Sequence, residues 1–329
     1  MIAPTEIRKL DISPEVPGTQ PLHISAASGL VCIGSTIYVI ADDELHLGVF
    51  STTVPEPGRL IRLFDGDLPD EKAERKRQKP DLETLALVPA FQDFPNGALL
   101  ALGSGSRPNR CRGALLELDP SGAVRGPPHE LDLLPILGPL RHAFTQLNIE
   151  GAIVAGDELR LFQRGNARHA DNAIIRYPLQ QALDALRIAN PDTIEPSAIN
   201  RLDLGSIEGV PFCFTDAAGL PNGNMVFCAV AEDTEDAYRD GPCIGTAIGI
   251  VDNGGHLLFM QRLARPYKVE GISARLDGDR LDLLLVTDAD EPTIPALLLS
   301  TSIAKVPFQA IGIVRNNVSS RASSKPSPT

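Results

Sequence analysis

The stretch EGAIVAGDELRLFQRGN, residues 150–166, places two short apolar runs on either side of a Gly-Asp turn. An apolar run, a tight-turn signal and a second apolar run read as a β-hairpin. The same unit recurs four more times along the chain. SGLVCI and TIYVIAD flank Gly34, ETLALV and ALLALGSG flank Gly97, PFCFTDA and MVFCAVAE flank Gly223, and EGISAR and LDLLLVTD flank Gly278. With Gly156 as the third, the turn glycines lie 63, 59, 67 and 55 residues apart. That period is too long for one hairpin and fits a four-stranded propeller blade with decorated loops.

A third run follows every hairpin (HLGVFS, GALLELD, NAIIRYP, GTAIGIVD, ALLLSTS), and a fourth follows in four units (RLIRLF, HELDLL, INRLDLG, LLFMQRL). Continuous apolar runs suit strands that neighbouring blades cover on both faces. The fifth unit lacks its own fourth strand, and TEIRKLDI, residues 5–12, is available to supply it and close the ring. Closure removes the exposed sheet edges. Residues 306–314 compete for the same role.

The expected fold is all-β: one five-bladed β-propeller over residues 1–318, closed by an N-terminal strand, with one or two short inserted helices. Its blades span roughly 26–66, 82–134, 148–206, 210–264, and 268–303 plus the strand 5–12. Residues 178–189, with Leu179, Leu183 and Leu186 at helical spacing, predict one helix, and residues 135–147 a second. The run DGDLPDEKAERKRQKPD, residues 65–81, reads as a solvated charged connector, and 319–329 (SSRASSKPSPT) as a disordered tail.

Composition narrows the partners. Thirty Lys+Arg against 42 Asp+Glu give a net charge of −12, which argues against nucleic acid or an anionic membrane as partner. No apolar run approaches the ~18 residues of a membrane span. The first 13 residues lack the apolar core of a secretory signal, which predicts a cytoplasmic protein. The five cysteines form no C-x-x-C pair and read as reduced packing thiols. GSGSR, residues 103–107, has Arg107 where a nucleophile elbow needs its last glycine.

In a propeller the start of each first strand and the end of each second strand lie at the same channel mouth, because adjacent strands are antiparallel. The first strands then begin at Ser28, Glu83, Glu150, Asp216 (or Thr215) and Glu270. Acids converging on one axis repel unless a cation or a proton neutralises them. Oxygen donors without paired Cys or His suit Ca²⁺, with Mg²⁺ as the alternative. Channel water or capped backbone amides would serve these side chains equally. The second strands end at Asp42-Asp43-Glu44, at Ser104, Ser106 and Arg107, at Arg164 and Asn166, at Glu232-Asp233 and at Asp288-Ala289-Asp290. Arg107, Arg110 and Arg164 are placed to form a fork for an anionic group, and the GSGS turn to bring backbone amides to it. His169 is the one histidine on this rim.

Several of these segments resemble a known group. ASGL (27–30), ADD (41–43), PDLETLA (80–86), NIEGA (148–152), QRGN (163–166) and KVEGIS (268–273) are similar to the blade-start motifs of esterase-like phytase and SdiA-regulated propellers, above all a bacterial domain-of-unknown-function branch. Glutamates at strand starts in a five-fold ring are also similar to calcium-dependent apyrases. The resemblance implies that Glu83, Glu150 and Glu270 lie near calcium and that Ser28 contributes an oxygen. The chain departs from the pattern at Thr84, where Gly is usual, and in TDAAG, where the fourth blade lacks its Glu.

The function expected from the sequence is a divalent-cation-dependent ester or phosphate-ester hydrolase acting on a small anionic substrate. Asp43 or Asp288 would be the general base, and Arg107 and Arg164 would hold the anionic end. Ser104, Ser106, Arg110, Asn166 and His169 would complete the ligand site. The alternative is a ligand-binding or interaction propeller whose axial ion or water only stiffens the ring.

Overall fold

The computed structural model describes residues 1–13, 22–188, 192–234 and 241–304. Five antiparallel sheets stand around one axis. Their first strands are Ala27–Ile33, Leu82–Val88, Ile149–Ala155, Val210–Gly219 and Val269–Asp277, and each packs beside the next until the fifth returns to the first. The third blade shows the regular pattern: Ile149–Ala155, Glu158–Gln163, Asn172–Pro178 and Ala198–Leu202 pair in sequence order. The fourth blade adds a two-residue strand, Ser206–Ile207, beside its first strand.

The turn glycines do what the sequence requires of them. Gly34, Gly156 and Gly278 have φ near +60° at the first position of two-residue hairpin loops. That is the backbone of a type II′ turn, which a β-carbon would strain.

Ring closure follows the expectation. Thr5–Lys9 pairs antiparallel with Leu297–Ile303 and becomes the outer strand of the fifth blade. The competing segment 306–314 and the tail 319–329 lie outside the described residues.

Five buried clusters fill the seams between adjacent blades. Leu47, Leu85 and Leu116 belong to the seam of blades one and two, and Leu102, Ile149 and Leu161 to that of two and three. Phe162, Phe214 and Phe227 stack edge-to-face between three and four. Ile248, Ile272 and Leu285 join four and five, while Leu10, Leu30 and Leu298 join five and one. Burying one such side chain is worth about 1.5–3 kcal/mol, which makes the seams the main source of stability.

Helices differ from expectation in two places. Leu179–Arg187 forms as predicted and buries Ala182, Leu183, Ala185 and Leu186. Residues 135–147 give only a turn of helix at Leu134–Leu137 and a 3-10 turn at Pro139–His142, because Pro139 has no amide hydrogen with which to continue the ladder. The charged connector is not a plain loop: Lys72–Gln78 is a helix. Glu71 caps it by accepting hydrogen bonds from the amides of Ala73 (2.9 Å) and Glu74 (2.8 Å). The helix buries none of its own residues, so it carries no apolar stripe to betray it.

Deleting residues 1–9 would expose the edge of Leu297–Ile303. The expected result is a melting temperature lower by roughly 5–10 °C, with self-association, read by thermal unfolding and size-exclusion chromatography.

Candidate functional site

Every first strand carries a β-bulge at the same place. The pairing register shifts at Ser28, Glu83, Glu150, Thr215 and Glu270. Bulges re-aim side chains at sheet ends. The fourth-blade position is therefore Thr215, and Asp216 is its neighbour. The two hydroxyls tie blades together: Ser28 donates to the Leu82 carbonyl (2.5 Å) and Thr215 to that of Val269 (2.7 Å). Each acceptor precedes the next blade's bulge. The three glutamates are longer and reach into the mouth, which holds a cavity of about 90 Å³. Two residues before each bulge stand Ala26, Asp81, Asn148, Cys213 and Lys268, which line the same cavity. Cys213, read from sequence as core, is buried yet faces this lining.

Charge balance is supplied largely by the chain itself. Arg164 contacts Glu232 (2.5 Å), Glu150 (3.2 Å) and Glu270 (3.6 Å), acids from blades four, three and five. Lys79 pairs with Asp42 and with Asp81 (3.0 Å), bridging blade one to the connector. Lys268 meets Asp290 (2.5 Å), Asp288 (3.0 Å) and Glu270 (3.8 Å). The lining holds seven carboxylates and five cationic side chains, an excess of two acids.

That excess shows in the titration of the group. Burial, reinforced by Glu150, Asp81 and Asp42, pushes Glu83 well above the ordinary carboxylate range. Among the described residues Glu83 has no ion pair or hydrogen bond within contact distance. Burial also raises Glu270, against the pull of Arg164 and Lys268, and one of its oxygens accepts no hydrogen bond. Beneath them Asp216 is buried and raised by burial, although one oxygen accepts from the Ile272 amide (2.8 Å). Asp81 and Asp288 move the other way. Burial would raise both, but Lys79 and Arg110 hold Asp81 down, and Lys268 holds Asp288 down.

The arginine fork is not assembled. Arg110 is buried on Asp81 (2.7 Å), Arg164 is taken by three glutamates, and Arg107 lies outside the lining. The GSGS turn serves the same internal network: Ser104 donates to Asp81 (2.6 Å), and Ser106 accepts from Arg110 (3.0 Å). Asn166 donates to Gln146 (2.6 Å) and accepts from the amides of Arg168 (3.0 Å) and His169 (2.9 Å), which fixes its own loop. His169 is exposed beside the mouth, in a side cavity of about 250 Å³. Asp43 faces Arg75 of the connector helix (3.6 Å); burial, Asp42 and Glu44 raise it to about 7. Asp288 does line the mouth.

Lys79, Asp81 and Lys268 are the site residues that sequence reading missed. The connector reads as solvated from its charge, yet Lys79, Asp81 and Glu83 alternate with the two-residue period of a strand. That period was the available signal. The opposite end of the channel opens into a wider depression of about 970 Å³, whose centre is lined by Leu30, Leu85, Ala152, Ala217 and Ile272.

Residues 23–303 match a family of unknown function, DUF6929, and the chain belongs to that family. The phytase-like part of the resemblance rests on the short motifs alone. A search of curated proteins gives no match. Among solved structures, an alpha-L-arabinofuranosidase from Podospora anserina in complex with cellotriose is similar at 12% identity and a TM-score of 0.47, over 93% of this chain and 98% of that one. A putative glycoside hydrolase from Parabacteroides distasonis gives 11% and 0.45, over 92% and 97%. Hydrazine synthase from Kuenenia stuttgartiensis gives 10% and 0.38 over 88% of this chain, which spans 66% of that chain's length. Likenesses this remote carry no argument about chemistry. No helix among the described residues is long and apolar enough to cross a membrane.

Two expectations follow from the charge balance. Arg164→Met leaves three acids without their shared cation and is expected to cost about 3 kcal/mol or more at pH 8. The cost should shrink at pH 5, where Glu150 and Glu270, both raised by burial, take up protons more readily; thermal unfolding at the two pH values checks it. Glu83 titrates above its unfolded value, so the folded protein holds its proton while the unfolded chain releases it. Its contribution is present below the ordinary carboxylate value and is lost as pH rises through the raised one. Glu83→Gln is therefore expected to raise the melting temperature relative to wild type, more at pH 8 than at pH 5.

Proposed function

We propose that in this member of the family the upper mouth binds a divalent cation, calcium or magnesium, and that the protein is a cation-dependent hydrolase of small ester or phosphate-ester substrates. The observation that carries the proposal is the convergence of Asp42, Asp81 and Glu83, whose carboxylate oxygens lie within 4.8 Å of one another. The donor set fits such an ion: three hard oxygen ligands, in a lining with two acids more than cations. Glu83, without an ion pair of its own, and the Glu270 oxygen that accepts no hydrogen bond support the fit.

Asp42, Asp81 and Glu83 would hold the ion. When bound, it would polarise a substrate oxygen and lower the pKa of a coordinated water. The remaining chemistry falls to the chain. Asp288, kept ionised by Lys268 at 3.0 Å, lines the mouth as proton acceptor. Asp43, the other candidate base, is committed to Arg75 outside it. Arg164 holds Glu150, Glu232 and Glu270 in place, so its charge is engaged by three acids. A substrate would thus be oriented by the ion rather than by a pair of guanidinium groups.

A second reading, a ligand-binding propeller without catalysis, is favoured by the cations that already bridge the acids of different blades. Calorimetric titration of Ca²⁺ and Mg²⁺ into chelator-treated protein, followed by an ester and phosphate-ester panel, separates the two. The hydrolase reading expects saturable binding, metal-dependent turnover, and at least tenfold loss of both in Glu83→Gln without loss of thermal stability. Binding without turnover on any substrate would leave the ligand-binding reading, and absence of binding would remove the cation.

A further inference from the structure

Lys79 occupies an unusual position, and its consequence rests on the cation reading above. It closes the connector helix, where its amide donates to the Arg75 carbonyl (2.8 Å). Its side chain is 8% exposed and its ammonium meets both Asp42 and Asp81. These are two of the three acids whose oxygens converge. An ammonium and a dication compete for the same two carboxylates, because their mutual repulsion in a buried site offsets part of the attraction that draws each in.

We infer that Lys79 is a tethered counter-ion seated where a divalent cation would bind, so that the cation enters only as the Lys79 ammonium withdraws. Glu270, 5% exposed, lines the same cavity, and its Oε1 accepts no hydrogen bond, the nearest cation being the Lys268 ammonium at 3.8 Å. The tether is firm in its main chain. Asn109 donates to the carbonyls of Arg77 (3.1 Å) and Lys79 (3.0 Å), and Arg75 donates to the Asp43 carbonyl (3.0 Å) and to Glu44 (3.1 Å). The exchange therefore involves the four-carbon stem of Lys79 rather than the helix. A lysine suits this role because its ammonium is a point charge on a flexible stem. The seated ammonium keeps Asp42 and Asp81 neutralised when no ion is bound, and it sets a threshold concentration for the ion.

Two measurements test this on the full-length protein. The first is calorimetric titration of Ca²⁺ into wild type and Lys79→Gln, with Lys79→Met as a second variant should the first fail to fold. Removing the competitor should tighten binding at least tenfold. The second is acetylation of wild-type lysines, read by mass spectrometry with and without Ca²⁺. Lys79 should be protected in the absence of the ion and modified several-fold faster in its presence. Equal or weaker binding by the variants, or Lys79 labelling unchanged at saturating Ca²⁺, overturns the inference while leaving the cation reading intact. No binding by wild type or variants overturns both.

Discussion

Buried acids brought to one axis must be neutralised, and in this protein the neutralising charge comes chiefly from the chain itself. Arg164 gathers glutamates from three blades, Lys79 joins the first blade to the connector, and Lys268 holds the acids of the fifth. Arg164 reaches Glu232 and Glu270 across blade boundaries, and Lys79 ties the connector to Asp42 of the first blade. The pairs do not by themselves make the fold stable, since desolvating a charge costs about as much as pairing it returns. Their effect is to fix how the blades meet at the mouth and to leave a defined surplus of acid there. Within that surplus Glu83 stands without an ion pair among the described residues, and Glu270 keeps one oxygen without a hydrogen bond.

Stability lies elsewhere, in the apolar seams. A blade is a twisted sheet with two apolar faces, and it buries both only by stacking against a blade on each side. Five seams and one pairing between the chain's first strand and its last described one close the system. The same closure places every first-strand bulge at one mouth. Short hydroxyl side chains at Ser28 and Thr215 spend their hydrogen bonds on the neighbouring blade, while glutamates at the other three positions extend into the cavity. One repeated backbone irregularity thus serves as a seam tie in two blades and places a glutamate in the mouth lining in three.

The contrast between the two channel ends follows from strand direction. Near one end the first strands carry Ser28, Glu83, Glu150, Thr215 and Glu270 at their bulges. Further along they carry Leu30, Leu85, Ala152, Ala217 and Ile272, so one mouth is narrow and charged and the other is wider and lined in part by aliphatic side chains. The connector inserted between blades one and two sharpens the asymmetry, because it delivers Lys76, Lys79 and Asp81 to the charged side only.

Blade number, strand order, the closing strand and the three mouth glutamates were all legible in the sequence, because apolar periodicity and turn glycines are local signals that recur. The connector helix was not, since a helix that buries nothing has no periodicity to read. Nor was the fate of the arginines: Arg110 and Arg164 stand where an anion fork would need them, but whether a guanidinium is available depends on which carboxylates other blades bring within reach. Residue type and spacing determined what could meet at the mouth. Only the folded ring decided which charges pair there and which acids remain without a partner, because that outcome depends on distances of a few ångströms between groups dozens of residues apart.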